Sequence, residues 1–266
     1  MITNKIKIAI AVLLIIIGSV FYFLKRENKS KDIEKAVSEE IIVSEGKVEA
    51  EIDVAENIEN KAALRQEDIE EEKIPDKVLL DVPFTSQAPF ANWDELHEEA
   101  CEEASIIMVK YFLDEKNLSI QIAEKEIQDL VRFQIKKYGD YKDSNAEQTA
   151  KLYSDFYGQP KNELKMKVVY DFEKKDLKKY LARGYPIIVP AAGRLLGNPN
   201  FTPPGPLYHN LVLIGYEDNN IITNDPGTKR GQSYKYNINV LYEAIHDFTG
   251  KKENIEKGRR AMIILE

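Results

Sequence analysis

The chain has 266 residues, 43% of them hydrophobic, which is enough for one well-packed domain with appendages. Its formal net charge is −8, but residues 27–76 hold seventeen Asp and Glu against seven Lys and Arg, a balance of −10 that leaves +2 for everything else. A near-neutral remainder without a glycine-rich phosphate loop argues against a nucleic-acid binder, and a single cysteine excludes an intramolecular disulfide.

Residues 6–24 are nearly all apolar, interrupted by Lys7, Gly18, Ser19 and Tyr22. The run from Ile8 to Leu24 is long enough to span a bilayer with modest tilt. No small-x-small cleavage site follows it; Phe21-Tyr22-Phe23-Leu24 runs straight into Lys25-Arg26. Residues 1–26 are therefore expected to form an uncleaved membrane anchor rather than a signal peptide. Positive charge lies on both sides of it, so the loop-charge rule does not set the orientation. A short N-terminal tail before a long domain favours a single-pass protein with that domain outside the cytoplasm. Residues 27–76 carry no aromatic residue and little apolar surface, which predicts an acidic stalk, disordered or in part a solvated helix.

Residues 77–266 read as the folded domain. Residues 78–84 are extended and pass into a polar loop. From about Glu98 the spacing becomes helical, with Ala100, Cys101, Ala104, Ile107, Met108, Tyr111 and Phe112 on one stripe. Helices are predicted over 119–137, with Ile122, Ile127, Leu130 and Val131 along one side, over a segment opened by the capping box Ser144-Asn145-Ala146-Glu147 and closed at Gly158, and over 173–183, stopped at Gly184. Strands are predicted at 166–170, 186–190, 208–216, 221–224, 233–237 and 261–265, with a further helix near 240–248. The 208–216 strand, YHNLVLIGY, is apolar on both faces and so central. Helices first and strands after predict an α+β domain, an antiparallel sheet packed on N-terminal helices. A proline-rich loop over 193–206 is long enough to suggest that it flanks a site.

Cys101 falls in the first turn of its helix, where free backbone N–H groups and the helix dipole favour an anion and hence a thiolate nucleophile. A lone cysteine on an apolar stripe is also simply core, and with His97 four residues earlier it has the i, i+4 spacing of a zinc pair. That zinc reading lacks the second histidine of a metalloprotease helix and needs carboxylates to complete it. Four glutamates, Glu98, Glu99, Glu102 and Glu103, surround the thiol and oppose its ionisation unless they point to solvent. Gln87, fourteen positions upstream on the incoming loop, carries an amide suited to an oxyanion donor. His209 opens the central strand just past the proline-rich loop, where a side chain reaches a cleft. Asp225 lies across the predicted hairpin from it, placed to orient the imidazole, with Asn224 as the competitor on the opposite strand face. His246 reads as a surface residue and Trp93 as a packing anchor.

The stretch Val82-Pro83-Phe84-Thr85-Ser86-Gln87, the helix headed by Cys101, YHNLVLIGY and Asn224-Asp225-Pro226-Gly227 together resemble the papain-fold cysteine peptidases that process bacteriocin leaders. They are more similar still to the C39-like group that lacks an attached ABC transporter, over residues 78–266. The resemblance implies a papain-like fold and a bacterial hydrolase that cleaves a peptide bond without metal or cofactor. It implies Cys101 as nucleophile, His209 as base, Asp225 as orienting carboxylate and Gln87 as oxyanion donor. The same residues also suit a cell-wall peptide amidase or transpeptidase. The family's usual Gly-Cys-Gly-Pro is replaced here by Ala100-Cys101-Glu102-Glu103, a departure that also admits an inactive binding module on the same scaffold.

Overall fold

A computed structural model describes residues 74–160 and 164–266, and Ile74–Glu266 forms one compact unit. The predicted anchor over 1–26, and the predicted stalk as far as residue 73, lie outside the described residues. Among the described residues no helix is long and apolar enough to cross a membrane.

The domain is α+β. In chain order it comprises β1 (Lys77–Leu79), α1 (Glu95–Glu98), α2 (Cys101–Leu113), α3 (Ile120–Tyr138), α4 (Ala146–Tyr157), β2 (Met166–Tyr170), α5 (Lys174–Ala182), β3 (Ile187–Ala192), β4 (Tyr208–Glu217), β5 (Asn220–Asn224), β6 (Tyr234–Asn237), α6 (Ile238–Ala244) and β7 (Ala261–Leu265). Short 3-10 turns at Gly193–Leu196 and Lys252–Lys257 complete it. The seven strands make one antiparallel sheet, six of them in the order β2-β7-β3-β4-β5-β6. β1 pairs with the far end of β4, Lys77 opposite Glu217, where β3 has already left that edge.

Helices cover both faces, not one. On one face Ile188, Val212, Ile214, Ile222 and Ile263 pack with Ile106, Ile107, Ile127, Leu130 and Leu152 of α2, α3 and α4. On the other, the alternate residues Ile187, Val189, Leu211, Leu213, Ile221 and Ile264 pack with Leu177 and Leu181 of α5 and Leu241 of α6. The central strands are apolar on both faces because each face has its own helical cover. Each of these fully buried aliphatic side chains contributes on the order of 1.5–3 kcal/mol relative to exposure.

Local signals place the helix ends. The Ser119 side chain caps α3 by accepting from the N–H of Ile122, and Gly139 ends it in the left-handed region. The capping box of α4 runs from Asn145 to Gln148, one residue later than Ser144 to Glu147, because the Ser144 hydroxyl is engaged with Thr149 instead. On α3, Ile122 is 39% exposed and Ala123 takes its place, so the buried row is 123, 127, 130, 131 and 134. α2 is buried all round as far as Val109 because it lies between the sheet and α3.

Candidate active site

Loop 86–94, the N-terminus of α2, the 198–209 segment and the 226–230 turn enclose a cleft of about 700 Å³. Cys101, Gln87, Trp93, His209, Glu98, Glu99 and Lys252 all contribute to its wall.

Cys101 lies in the first turn of its helix, as expected, but α2 starts at Cys101 itself and not near Glu98, which ends the separate α1; the thiol is 6% exposed. Its Sγ donates to Glu102 Oε2 at 3.0 Å. The expected thiolate is not what this environment favours. Burial pushes the Cys101 thiol well above its ordinary pKa; the Glu102 charge and hydrogen bond push it further, and the Asn210 N–H offsets only part of this. The reason is the direction of two side chains. Glu102 and Glu103 turn inward, 3% and 0% exposed, instead of facing water. Burial also pushes their own carboxyls up, to about 7 for Glu102 and about 8 for Glu103. Glu102 Oε1 accepts from the N–H of Ser144 at 2.9 Å, and Glu103 accepts from Gln134. Glu99, half-buried, pairs with Lys252 at 2.7 Å, while Glu98 is exposed.

His209 and Asp225 are joined. His209 Nε2 lies 2.8 Å from Asp225 Oδ1, both side chains are buried, and Nδ1 has no hydrogen-bond partner among the described residues. Asp225 also accepts from Tyr236 Oη at 2.5 Å, Asn198 Nδ2 at 3.2 Å and the N–H of Gly227 at 3.0 Å. Burial pushes its carboxyl up, but the His209 ring and these donors outweigh it, so the group stays below the usual carboxylate range. Asn224, on the opposite face of β5, is spent elsewhere: it donates to Val82 O and accepts from the N–H of Ser233. Strand alternation therefore gives Asp225 to the imidazole. Gly227 closes over the ring, where a Cβ would stand 2.9 Å from His209 Cε1, and Phe201 packs edge-on against it at 5.4 Å.

Gln87 is buried and lines the cleft. Its backbone N–H donates to Pro226 O, which ties the loop before α1 to the turn after Asp225. Its side-chain amide donates to His97 O at 2.8 Å and Glu98 O at 3.1 Å, leaving Oε1 buried without a partner.

The family model described as the Peptidase C39 like family matches residues 79–252. The chain belongs to that family. A solved structure from Bacillus anthracis, described as a candidate C39-like peptidase, matches with 16% identity and a TM-score of 0.47, covering 72% of this chain and 98% of its own. No curated protein matches significantly.

In this C39-like domain the remaining candidates fall away from the cleft chemistry. His97 does not pair with Cys101 as the zinc spacing required. Its ring is held between Asp94 Oδ1 at 2.7 Å and Glu124 Oε2 at 3.1 Å, where it fastens α1 to α3. His246 is half-buried and bonds Gly258 O. Trp93 is no packing anchor: it is 41% exposed and stands at the cleft wall. Asn198 and Tyr236 were not singled out by spacing. Tyr236 shares the period-two alternation of β6, whose neighbours Lys235 and Asn237 are exposed, and that was the signal available for it.

Proposed function

We propose that the C39-like domain is a cysteine peptidase of papain-like fold in which Cys101, His209 and Asp225 act as one unit. The observation that carries this reading is the buried His209–Asp225 pair standing in the same cleft as the chain's one cysteine. Asp225 fixes the imidazole through Nε2, so Nδ1 is the nitrogen free to take the thiol proton. The sulfur then attacks a peptide carbonyl and forms an acyl-thioester; the protonated imidazole passes its proton to the leaving amine, and water releases the acyl group. In this mechanism Gln87 is an oxyanion donor, on the condition that the longer of its two amide bonds, to Glu98 O, gives way to the oxyanion when substrate arrives.

The inward-facing carboxylate beside the thiol favours a second reading, a binding module on an inactive scaffold. Turnover separates the two. The purified protein, offered a mixed peptide library, is expected to generate new peptide N-termini that are absent with Cys101→Ala; no new termini would support the binding module. Release of fragments from purified peptidoglycan, with the library untouched, would instead indicate a cell-wall amidase or transpeptidase.

We also propose that the apolar run Ile8–Leu24 anchors the protein, with residues 27–76 as the stalk and the domain outside the cytoplasm. Protease shaving of intact cells is expected to release a fragment that begins within the stalk. Protection of the domain alongside a cytoplasmic marker would reverse the orientation, and free solubility would remove the anchor.

A further inference from the structure

Cys101 Sγ lies within hydrogen-bond distance of a side-chain carboxylate in this site, the contact a thiol makes as donor. Its acceptor, Glu102 Oε2 at 3.0 Å, belongs to the adjacent residue, and the carboxylate is clamped from its other end. Oε1 accepts from the N–H of Ser144 at 2.9 Å, Ser144 O accepts from Tyr208 Oη at 2.5 Å, and Tyr208 Oη accepts from Asn210 Nδ2 at 2.8 Å. Asn210 stands on β4 beside His209, so the chain of bonds ties the carboxylate to the strand that carries the imidazole. Glu102, 3% exposed, is thus one link in a buried polar chain that joins α2, the segment before α4 and β4.

We propose that Glu102 is a latch on the nucleophile: its carboxylate holds Cys101 as a protonated thiol in the resting protein and sets the pH at which the thiolate forms. The inference rests on reading Cys101 as the nucleophile. Formation of the thiolate takes one proton from Sγ, to solvent as pH rises in the alkylation profile and to His209 Nδ1 during turnover. It gives up the Sγ–H hydrogen bond to Glu102 and changes no other covalent bond. With Glu102 ionised, two adjacent residues in a buried site would then both be negative; with Glu102 neutral, only one is.

The other groups around Glu102 do not cancel its charge. On its own helix stands Glu103, bonded to Gln134, and before that helix stands Glu99. The segment before α4 contributes Asp143, and β4 contributes Tyr208, beyond which lies Asp247. The nearby cation Lys252 is already engaged by Glu99 at 2.7 Å and Asp143 at 3.1 Å. His209, also at the cleft, is committed to Asp225 through Nε2. Burial pushes Glu102 up to about 7, so the latch operates near neutral pH.

The test is the pH profile of Cys101 alkylation by iodoacetamide in the full chain, read by mass, with wild type beside Glu102→Gln. Glutamine keeps an oxygen for the Ser144 N–H while removing the charge. Glu102→Gln is expected to move the profile down by about one pH unit or more and to alkylate roughly tenfold faster at pH 7. An unshifted or upward-shifted profile in a variant that melts like wild type overturns the latch. Wild type alone supplies a second check, independent of whether the variant folds: its alkylation midpoint is expected above the value of about 8.5 for free cysteine, and a midpoint below that overturns the latch as well. Turnover measured in parallel keeps the two readings apart. Loss of turnover in Cys101→Ala with an unshifted Glu102→Gln profile sinks the latch alone. Turnover that survives Cys101→Ala sinks the peptidase reading.

Discussion

Turnover is expected to vanish with Cys101→Ala and to fall roughly 10³-fold or more with His209→Ala, the scale for losing a general base that also forms the nucleophile. Combining the two changes should add little, because each already removes the same working pair. Asp225→Ala should cost less than His209→Ala, since the imidazole remains a base but loses the partner that fixes its tautomer. Asn224→Ala should spare kcat and lower stability instead, because its side chain holds Val82 O and the N–H of Ser233. Gln87→Ala should lower turnover by roughly 10²-fold while leaving Cys101 alkylation nearly unchanged, as alkylation forms no oxyanion. Steady-state kinetics on one cleaved peptide, beside thermal melts, would check the series. An Asn224 variant worse in kcat than the Asp225 variant would reverse the assignment of the third residue.

The second large effect is expected from a glycine that has no side chain of its own to offer the site. Asp225 and Gly231 bracket a tight turn in which Asp225 N–H donates to Gly231 O at 3.0 Å. A Cβ on Gly231 would fall 1.8 Å from Asp225 O and 2.7 Å from its carbonyl carbon, both backbone atoms that cannot swing aside. Gly231→Ala must therefore displace the backbone of Asp225. Overpacking of this kind costs about 1–3 kcal/mol. A shift of the orienting carboxylate of about 1 Å costs on the order of 10²-fold in turnover. Urea unfolding together with kcat would show both losses in one variant. Wild-type activity in Gly231→Ala would mean that the position of Asp225 is not critical.

What could be read from the chain, and what could not, divides by the distance over which a residue is decided. The strand Tyr208–Glu217, the cap at Ser119, the left-handed stop at Gly139 and the place of Cys101 in a first helical turn follow from local periodicity and turn chemistry. Strand alternation allows only one of Asn224 and Asp225 to face His209; the resemblance, not the alternation, singled out Asp225, and it is Asp225 that lies 2.8 Å from the ring. Glu102 and Glu103 did not yield to that approach. Two glutamates in a first helical turn read as solvent-facing complements to the dipole. Here their partners come from 42 and 31 residues away, Ser144 and Gln134, and only the packed fold brings those groups to the helix. Asn198 is the same case: nothing near it in the chain shows that it meets Asp225, 27 residues on. The helical cover on the second face of the sheet was legible only in part, because α5 reads as charged and amphipathic without showing which surface it would meet.

The exposed Trp93 gives the cleft a built-in optical reporter. It is the chain's one tryptophan, it stands at the cleft wall, and 41% of it remains open to water. Indole emission therefore comes from a single, assignable position, with no buried tryptophan to dilute it. A peptide lying along that wall would exclude water from the ring and shift its emission to shorter wavelength. Occupancy could then be titrated in an inactive Cys101→Ala protein without labelling either partner.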